Sequence, residues 1–257
     1  MTTLTHVDTA LCSSISQAQP IGCARVLQSI RLEATRIVKR SLLLDDRLAF
    51  AITSANDGVD GILPLEEKRL FTPRASSKRL REWASGRRAA RLALKQLGFE
   101  NSPPILRGDG GEPLWPEGVV GSITHCYPWS LAMVVRSSAP LSIGIDLESQ
   151  LRMGKVDISS VVCRKPELEW IFADGDCQAR LMMIFSAKEA VYKALHPVCR
   201  KYIDFQDVEL SWVPEESRFV VRFSAAFEER FLVNRVCSVH CWQQDTFVFT
   251  CSTLQTL

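Results

Sequence analysis

Two stretches of this chain repeat one another. Ala84-Ser85-Gly86-Arg87-Arg88-Ala89-Ala90-Arg91-Leu92-Ala93-Leu94 reads against Phe185-Ser186-Ala187-Lys188-Glu189-Ala190-Val191-Tyr192-Lys193-Ala194-Leu195. Ser85/Ser186, Ala89/Ala190, Ala93/Ala194 and Leu94/Leu195 coincide, and Arg87 and Lys188 agree in charge. Both segments have the composition of helices, and each belongs to a half-chain that also supplies strand-like runs. Such an echo points to a duplicated α+β unit with a cleft between the copies. The length of 257 residues accommodates one large domain or two smaller ones.

Composition narrows the functional classes. The net charge of +2 is too small to predict nucleic-acid binding. No basic segment followed by an apolar run opens the chain, and no window approaches the length of a membrane span. The nine cysteines are odd in number, irregular in spacing and without a C-x-x-C pair, which predicts reduced thiols. A cytoplasmic protein with no nucleic-acid and no membrane partner is expected. Cys237, His240 and Cys241 lie in an alternating, strand-like stretch with no partner cluster and read as structural.

Along the chain, residues 1–24 read as a loose lead-in, and Arg25–Leu32 as an early strand. Thr53–Gly61 reads as a loop. Leu65 opens a helical pattern interrupted by Pro73. A long helix is expected over Ala75–Leu97, stopped by Gly98, a residue suited to the position just past a helix. Strands follow at Val119–His125, Ser130–Val135 and Leu141–Glu148. Helices are expected at Pro166–Phe172 and Ala179–Leu195, the second ended by His196-Pro197. Phe205–Trp212 with Arg218–Phe223, and Val236–Trp242 with Phe247–Cys251, have the pattern of hairpins. The halves are placed at 25–139 and 140–257, with the site at their seam.

The chemistry gathers on three segments. In Gly144-Ile145-Asp146-Leu147-Glu148 the strand period puts Asp146 and Glu148 on one face and Leu147 on the other. Two acids on one face of an apolar strand repel unless a cation lies between them, and hard oxygen ligands suit Mg²⁺. The plainer reading is a strand that ends at the surface. On the helix Ala179–Leu195, Phe185, Glu189 and Lys193 share a face. Glu189 is either half of a surface ion pair with Lys193 or the third acid of a Mg²⁺–phosphate site, with Lys193 neutralising a leaving phosphate. His125, beside Ser122 and Thr124 and downstream of a basic helix, is either structural or a phosphate contact.

Four motifs occur together in order: Arg79-x-x-Glu82-x-x-x-Gly86-Arg87, Trp115-Pro116-x-Gly118-x-x-Gly121-Ser122-Ile123-Thr124-His125, Gly144–Glu148 and Phe185–Ala194. In these the chain resembles the 4′-phosphopantetheinyl transferases, in the class typified by enterobactin synthase component D. The resemblance implies an α+β fold of two similar halves related by pseudo-twofold symmetry, with coenzyme A between them. It implies transfer of 4′-phosphopantetheine to a serine of an apo acyl or peptidyl carrier protein, releasing adenosine 3′,5′-bisphosphate, in siderophore or secondary-metabolite biosynthesis. It assigns Mg²⁺ to Asp146, Glu148 and Glu189. It makes Glu189 the candidate base and Lys193 the pyrophosphate contact. Arg79, Arg87, Thr124 and His125 become nucleotide contacts. It also implies a monomer. A non-catalytic coenzyme A-binding scaffold or regulator is the alternative. Relatives often carry Gly-Lys-Pro where this chain has Gly111-Glu112-Pro113. Glu112 cannot supply lysine's charge and is expected to be dispensable for coenzyme A affinity, with Arg107 or the basic helix taking over.

Overall fold

The computed structural model describes residues 20–42, 47–57, 63–70, 76–152, 157–173, 175–231 and 235–256. Most of the expected lead-in, residues 58–61 of the expected loop, Pro73 and the expected helix start at Ala75 lie outside them.

The first described element corrects the sequence reading. Residues expected to form a strand at Arg25–Leu32 lie inside a helix, α1 (Pro20–Leu42). Leu27, Ile30, Ala34 and Val38 are spaced three, four and four residues apart, which is a helical stripe, and all four are essentially fully buried. A strand absent from the sequence reading follows, β1 (Leu48–Ser54). It is buried on both faces, so it shows no polar alternation.

The short α2 (Leu65–Lys68) leads to the long α3 (Ser77–Gln96), N-capped by the Ser76 hydroxyl. Gly98 follows its end at a positive φ of 86°. β2 (Val119–Cys126) and β3 (Trp129–Arg136) form a hairpin, and β4 (Leu141–Ser149) is the first strand in chain order of a second sheet. Then come α4 (Ser159–Val162), α5 (Lys165–Ala173) and α6 (Cys177–Cys199). α6 runs past Pro197 instead of ending at His196: proline removes one backbone donor in the last turn, and Arg200 closes the helix in a left-handed conformation. β5 (Val208–Val213) and β6 (Arg218–Phe223) make the first expected hairpin. A helix that the sequence reading lacked, α7 (Ala225–Phe231), precedes the second hairpin, β7 (Arg235–Gln244) and β8 (Phe247–Thr256).

The strands form two antiparallel sheets, in the orders β1-β3-β2 and β4-β8-β7-β6-β5. α1 lies under both. Its buried stripe shares one core with Phe50, Leu131 and Met133 of the first sheet and with Ile143, Ile145, Leu147 and Phe249 of the second. On the opposite face, alanines of α3 pack on Ala49, Ala51, Ala132 and Val134, and the small side chains let helix and sheet approach closely. α6 covers the second sheet in the same way. The fold is α+β.

The two units also repeat contacts. Thr53 on β1 donates to the Ser85 carbonyl at 2.8 Å, its hydroxyl 2.9 Å from that of Ser85. Thr250 on β8 does the same to Ser186, at 2.8 and 2.9 Å. The buried Glu67 accepts from the Ile105 amide and from Arg91 of α3. The buried Glu167 accepts from the Leu210 amide and from Lys188 of α6. The echo between the two helices therefore extends to their surroundings.

Candidate active site

The sheets meet edge to edge at β2 and β4. Backbone amides on the open edge of β4 need acceptors, and hydroxyls of β2 supply them. The Ser122 hydroxyl accepts from the Ile145 amide at 3.0 Å, and the Thr124 hydroxyl from the Leu147 amide at 3.1 Å. Thr124, almost fully buried, also donates to Asp146 Oδ1 at 3.2 Å. Side chains thus stitch the two units along the line that carries the acids.

Gly144 brings α6 onto that line. A Cβ at this position would collide with the Ala190 carbonyl and stand 2.6 Å from the Ala194 nitrogen. The missing side chain lets β4 touch the helix backbone. Lys193 consequently reaches Asp146, donating to Oδ1 at 2.7 Å and to the Ile145 carbonyl at 3.1 Å. Asp146 is 4% exposed, and its Oδ2 is buried without a partner among the described residues. Glu148 is half-buried on the same strand face, and Leu147 points into the core beneath. Glu189, one turn before Lys193, is half-buried. Burial, and then the charge of Asp146, hold its carboxyl above the ordinary range, with Lys193 opposing. Asp146, Glu189 and Lys193 are therefore within one another's field.

Among the described residues no three acidic, histidine or cysteine side chains converge closely enough to enclose a metal ion. The Lys193 ammonium occupies the Asp146 oxygen that a cation would share. The unpaired Oδ2 and the all-oxygen donor set nevertheless suit a hard cation in kind.

The expected nucleotide contacts separate into two groups. Arg79, Arg87 and His125 line one small cavity of about 130 Å³ together with Glu82, Trp83 and Ile123. Arg87 is 5% exposed and stacks on Trp83, its guanidinium carbon 4.8 Å from the ring centre. It donates weakly to the Leu106 carbonyl at 3.4 Å, and its Nε is buried without a partner among the described residues. Burial, then the neighbouring Arg91 and Arg107, hold its pKa down to about 10 against the pull of Glu67, so it stays charged at neutral pH. His125 faces Glu82 at 3.9 Å. Its packed surroundings keep the imidazole below its usual value, although 56% of the side chain is open. Thr124 stands apart from this group, its hydroxyl committed to Asp146 and β4.

Two further cavities flank the acids. One of about 500 Å³ lies between the units, lined by the turn Gly110–Trp115, by β2 and by Tyr192, Lys193 and His196 of α6. The other, about 240 Å³, is lined by Glu189, Tyr192, Tyr202 and Phe205.

Residues 66–135 match the family model for the 4′-phosphopantetheinyl transferase N-terminal domain, and residues 142–242 that for the 4′-phosphopantetheinyl transferase superfamily. The 4′-phosphopantetheinyl transferase PptT of Mycobacterium tuberculosis is 36% identical over 165 residues, covering 63% of this chain and 71% of the relative. The chain belongs to the 4′-phosphopantetheinyl transferase superfamily. The transferase Svp of Streptomyces mobaraensis is 34% identical over 184 residues, 67% of this chain and 70% of its own. Enterobactin synthase component D of Escherichia coli K12 is 35% identical over 125 residues, 47% of this chain and 56% of the relative. The chain is thus an enzyme of the transferase class.

In this transferase the sequence reading left several site residues without a role. Trp83 precedes Arg87 by four positions on one helix, the spacing at which an aromatic ring and a guanidinium meet. Glu82 sits inside a quoted motif without an assignment. Tyr192, between the two larger cavities, is flagged in sequence only by lying between Glu189 and Lys193. Among the described residues no helix is long and apolar enough to cross a membrane.

Proposed function

We propose that this transferase moves 4′-phosphopantetheine from coenzyme A to a serine of an apo acyl or peptidyl carrier protein, releasing adenosine 3′,5′-bisphosphate, with Mg²⁺. The carrying observation is the seam itself: Asp146, with one buried oxygen unpaired and the other held by Lys193, beside Glu189.

The cavities suit coenzyme A in pieces. The Arg87 guanidinium, stacked and with its Nε unpaired, is a fixed anion receptor, and with Arg79 and His125 it suits a nucleotide phosphate. The 500 Å³ cleft suits the rest of the nucleotide, and the 240 Å³ cavity beside Glu189 suits the pantetheine chain.

Asp146, Glu148 and Glu189 would hold Mg²⁺, which when bound neutralises pyrophosphate charge. Lys193 swings from Asp146 to the pyrophosphate, where its ammonium stabilises the charge left on the departing bisphosphate. Glu189, whose carboxyl burial and the charge of Asp146 hold above its ordinary range, accepts the proton of the attacking serine directly or through water. Thr124 and Ser122 hold β4 so that Asp146 keeps its place. The serine oxygen forms a bond to the phosphorus bearing the pantetheine arm, and the bond from that phosphorus to the bridging oxygen breaks. Positioning and charge neutralisation carry most of such a transfer. The described cysteines are free thiols, which suits the expected cytoplasmic setting.

The test is to incubate the protein with coenzyme A, Mg²⁺ and apo carriers of fatty-acid, polyketide and peptide-synthetase type, and to weigh the carriers intact. A phosphopantetheine-sized gain is expected on at least one, and its absence from Asp146→Ala and Glu189→Gln. No gain on any carrier, or near-wild-type turnover in either variant, refutes the assignment.

A further inference from the structure

Glu82 is an acid among the groups that suit a nucleotide phosphate, and the contact of α3 with β2 puts it there. A Cβ at Gly86 would stand 3.0 Å from Ile123 Cγ2, so the helix comes down closely on the strand at that point. Glu82 lies one turn before Gly86 on the same helix face, and His125 lies two residues after Ile123 on the same strand face. Ser130, paired with His125 across the hairpin and 1% exposed, donates to the Glu82 carbonyl at 3.4 Å. That bond ties this turn of the helix to the sheet. The register thus sets the Glu82 carboxylate against the His125 imidazole, Oε2 to Nε2, at 3.9 Å.

The Glu82 side chain is 16% exposed, and among the described residues its ion pair is with His125. It lies beyond the first turn of α3, where a carboxylate no longer stabilises the helix dipole. In a cavity that takes an anion, an acid without a further role weakens binding by repulsion. His125 supplies the role. Arg79, Glu82 and Arg87 of α3 share its cavity, while Lys193 of α6 and Asp146 of β4 act on it from the seam. Burial, then Lys193 and Arg79, favour the neutral ring, and Glu82 opposes them more strongly than Asp146 does. The distinction matters to an anion, because a neutral imidazole offers one N–H and a charged one offers two.

We propose that Glu82 is a positioning residue for His125: its carboxylate holds one N–H of the imidazolium and leaves the other to donate to a nucleotide phosphate in the cavity of Arg79 and Arg87. This rests on coenzyme A being the donor and on that cavity receiving one of its phosphates. A shift of about 1 Å brings the pair from 3.9 Å to hydrogen-bond distance. The ring then carries its charge where the phosphate arrives, and the bond at one nitrogen fixes which way the other points. It also explains why an acid is tolerated in a phosphate cavity, since the donor it secures outweighs the repulsion it adds.

The experiment measures coenzyme A binding by calorimetry, without a carrier, for the wild type, Glu82→Gln, Glu82→Ala, His125→Gln and the double variant Glu82→Gln with His125→Gln; melting curves confirm that each is folded. At about pH 7.5 both Glu82 variants should bind about tenfold more weakly, the effect of moving the imidazole by about one pH unit. At about pH 5.5 the solution itself protonates the ring, and they should come within about threefold of the wild type. The ionisation of the ligand is common to every protein compared. On top of His125→Gln, Glu82→Gln should cost nothing further. By NMR, the imidazole signal that His125→Gln removes, one of four in the chain, should titrate at lower pH in both Glu82 variants. A loss equal at the two pH values, a loss that persists beside His125→Gln, a His125 titration that does not move, or tighter binding by Glu82→Gln at the higher pH overturns the proposal while leaving coenzyme A as donor. His125→Gln binding as tightly as the wild type overturns it too. Failure of the wild type to bind coenzyme A overturns the donor along with it.

Discussion

Replacing Thr124 by valine separates two roles for one hydroxyl. The side chain keeps its shape and loses only the oxygen. That oxygen accepts from the Leu147 amide at 3.1 Å and donates to Asp146 Oδ1 at 3.2 Å, in surroundings where Thr124 is 2% exposed. The variant leaves a buried amide unsatisfied, which costs about 1–3 kcal/mol, and Asp146 loses one of its two partners. Unfolding by urea should therefore show a loss of about 2 kcal/mol with an unchanged slope, a sizeable share of the roughly 5–15 kcal/mol that holds a typical domain together. Carrier modification should fall about tenfold in kcat, equivalent to about 1.4 kcal/mol of misplacement at Asp146, with little change in KM for coenzyme A. Thr124→Ser keeps the oxygen and should recover most of both. If Thr124 instead serves by touching the nucleotide, Thr124→Val raises KM and leaves stability alone. That outcome, or a serine variant as damaged as valine, refutes the reasoning.

Gly144→Ala should fail to fold, or lose transfer entirely, because its Cβ meets the backbone of α6 rather than a movable side chain; circular dichroism and the carrier mass distinguish the two, and a normally active variant sinks the close-approach account. Lys188→Met strands Glu167 in the core and should cost about 3–5 kcal/mol, much of it recovered in Lys188→Met with Glu167→Gln, as read by urea unfolding. Stability should decline as pH rises above about 9: the buried thiols of Cys163 and Cys251 are pushed up to about 12 by burial, so the unfolded chain releases those protons first and gains relative to the native state, each thiol contributing up to about 1.4 kcal/mol per pH unit. Cys251→Ala should flatten that decline, and an unchanged slope would count against it. Arg87→Lys should raise KM for coenzyme A about tenfold with kcat nearly intact, since lysine keeps the charge but loses the planar stacking on Trp83.

The legible parts of the fold were those where local pattern and tertiary role agree. The strand Leu141–Glu148 alternates because one face meets the core shared with α1 and the other meets α6, and its acids were readable for that reason. α3 and α6 carry helix-forming alanines and end in recognisable signals. α1 was misread because Leu27 and Ile30 fit a short strand as well as a helix, and only Ala34 and Val38, further on, decide the period. β1 was missed because both its faces are buried, leaving no alternation to see. Within the site, the family resemblance grouped Arg79, Arg87, Thr124 and His125 as nucleotide contacts; Arg79, Arg87 and His125 line one cavity, and Thr124 does not. The sequence could not reveal that the hydroxyls of Ser122 and Thr124 are spent on β4, because the pairing of two sheet edges is a property of the assembled halves.

Duplication explains how such a seam arises and why its two sides differ. Arg87 and Lys188 hold equivalent places in the repeated helices, and both are buried cations. Lys188 is saturated, donating to Val162, Glu167 and Phe205 at 2.7–2.9 Å. Arg87 has one long bond to Leu106 and an unpaired Nε. In the first unit the partner acid, Glu67, is taken instead by Arg91, one turn further along α3, through two hydrogen bonds at 2.7 and 2.8 Å. Diverting the acid to Arg91 leaves Arg87 charged, stacked and under-bonded at the rim of a cavity. The second unit keeps its cation for structure and presents acids at the seam. A duplicated fold can thus give its copies different electrostatics, an under-bonded guanidinium in one and acids along the seam in the other, while the shared contacts of Thr53 with Ser85 and of Thr250 with Ser186 hold both helices in the same pose.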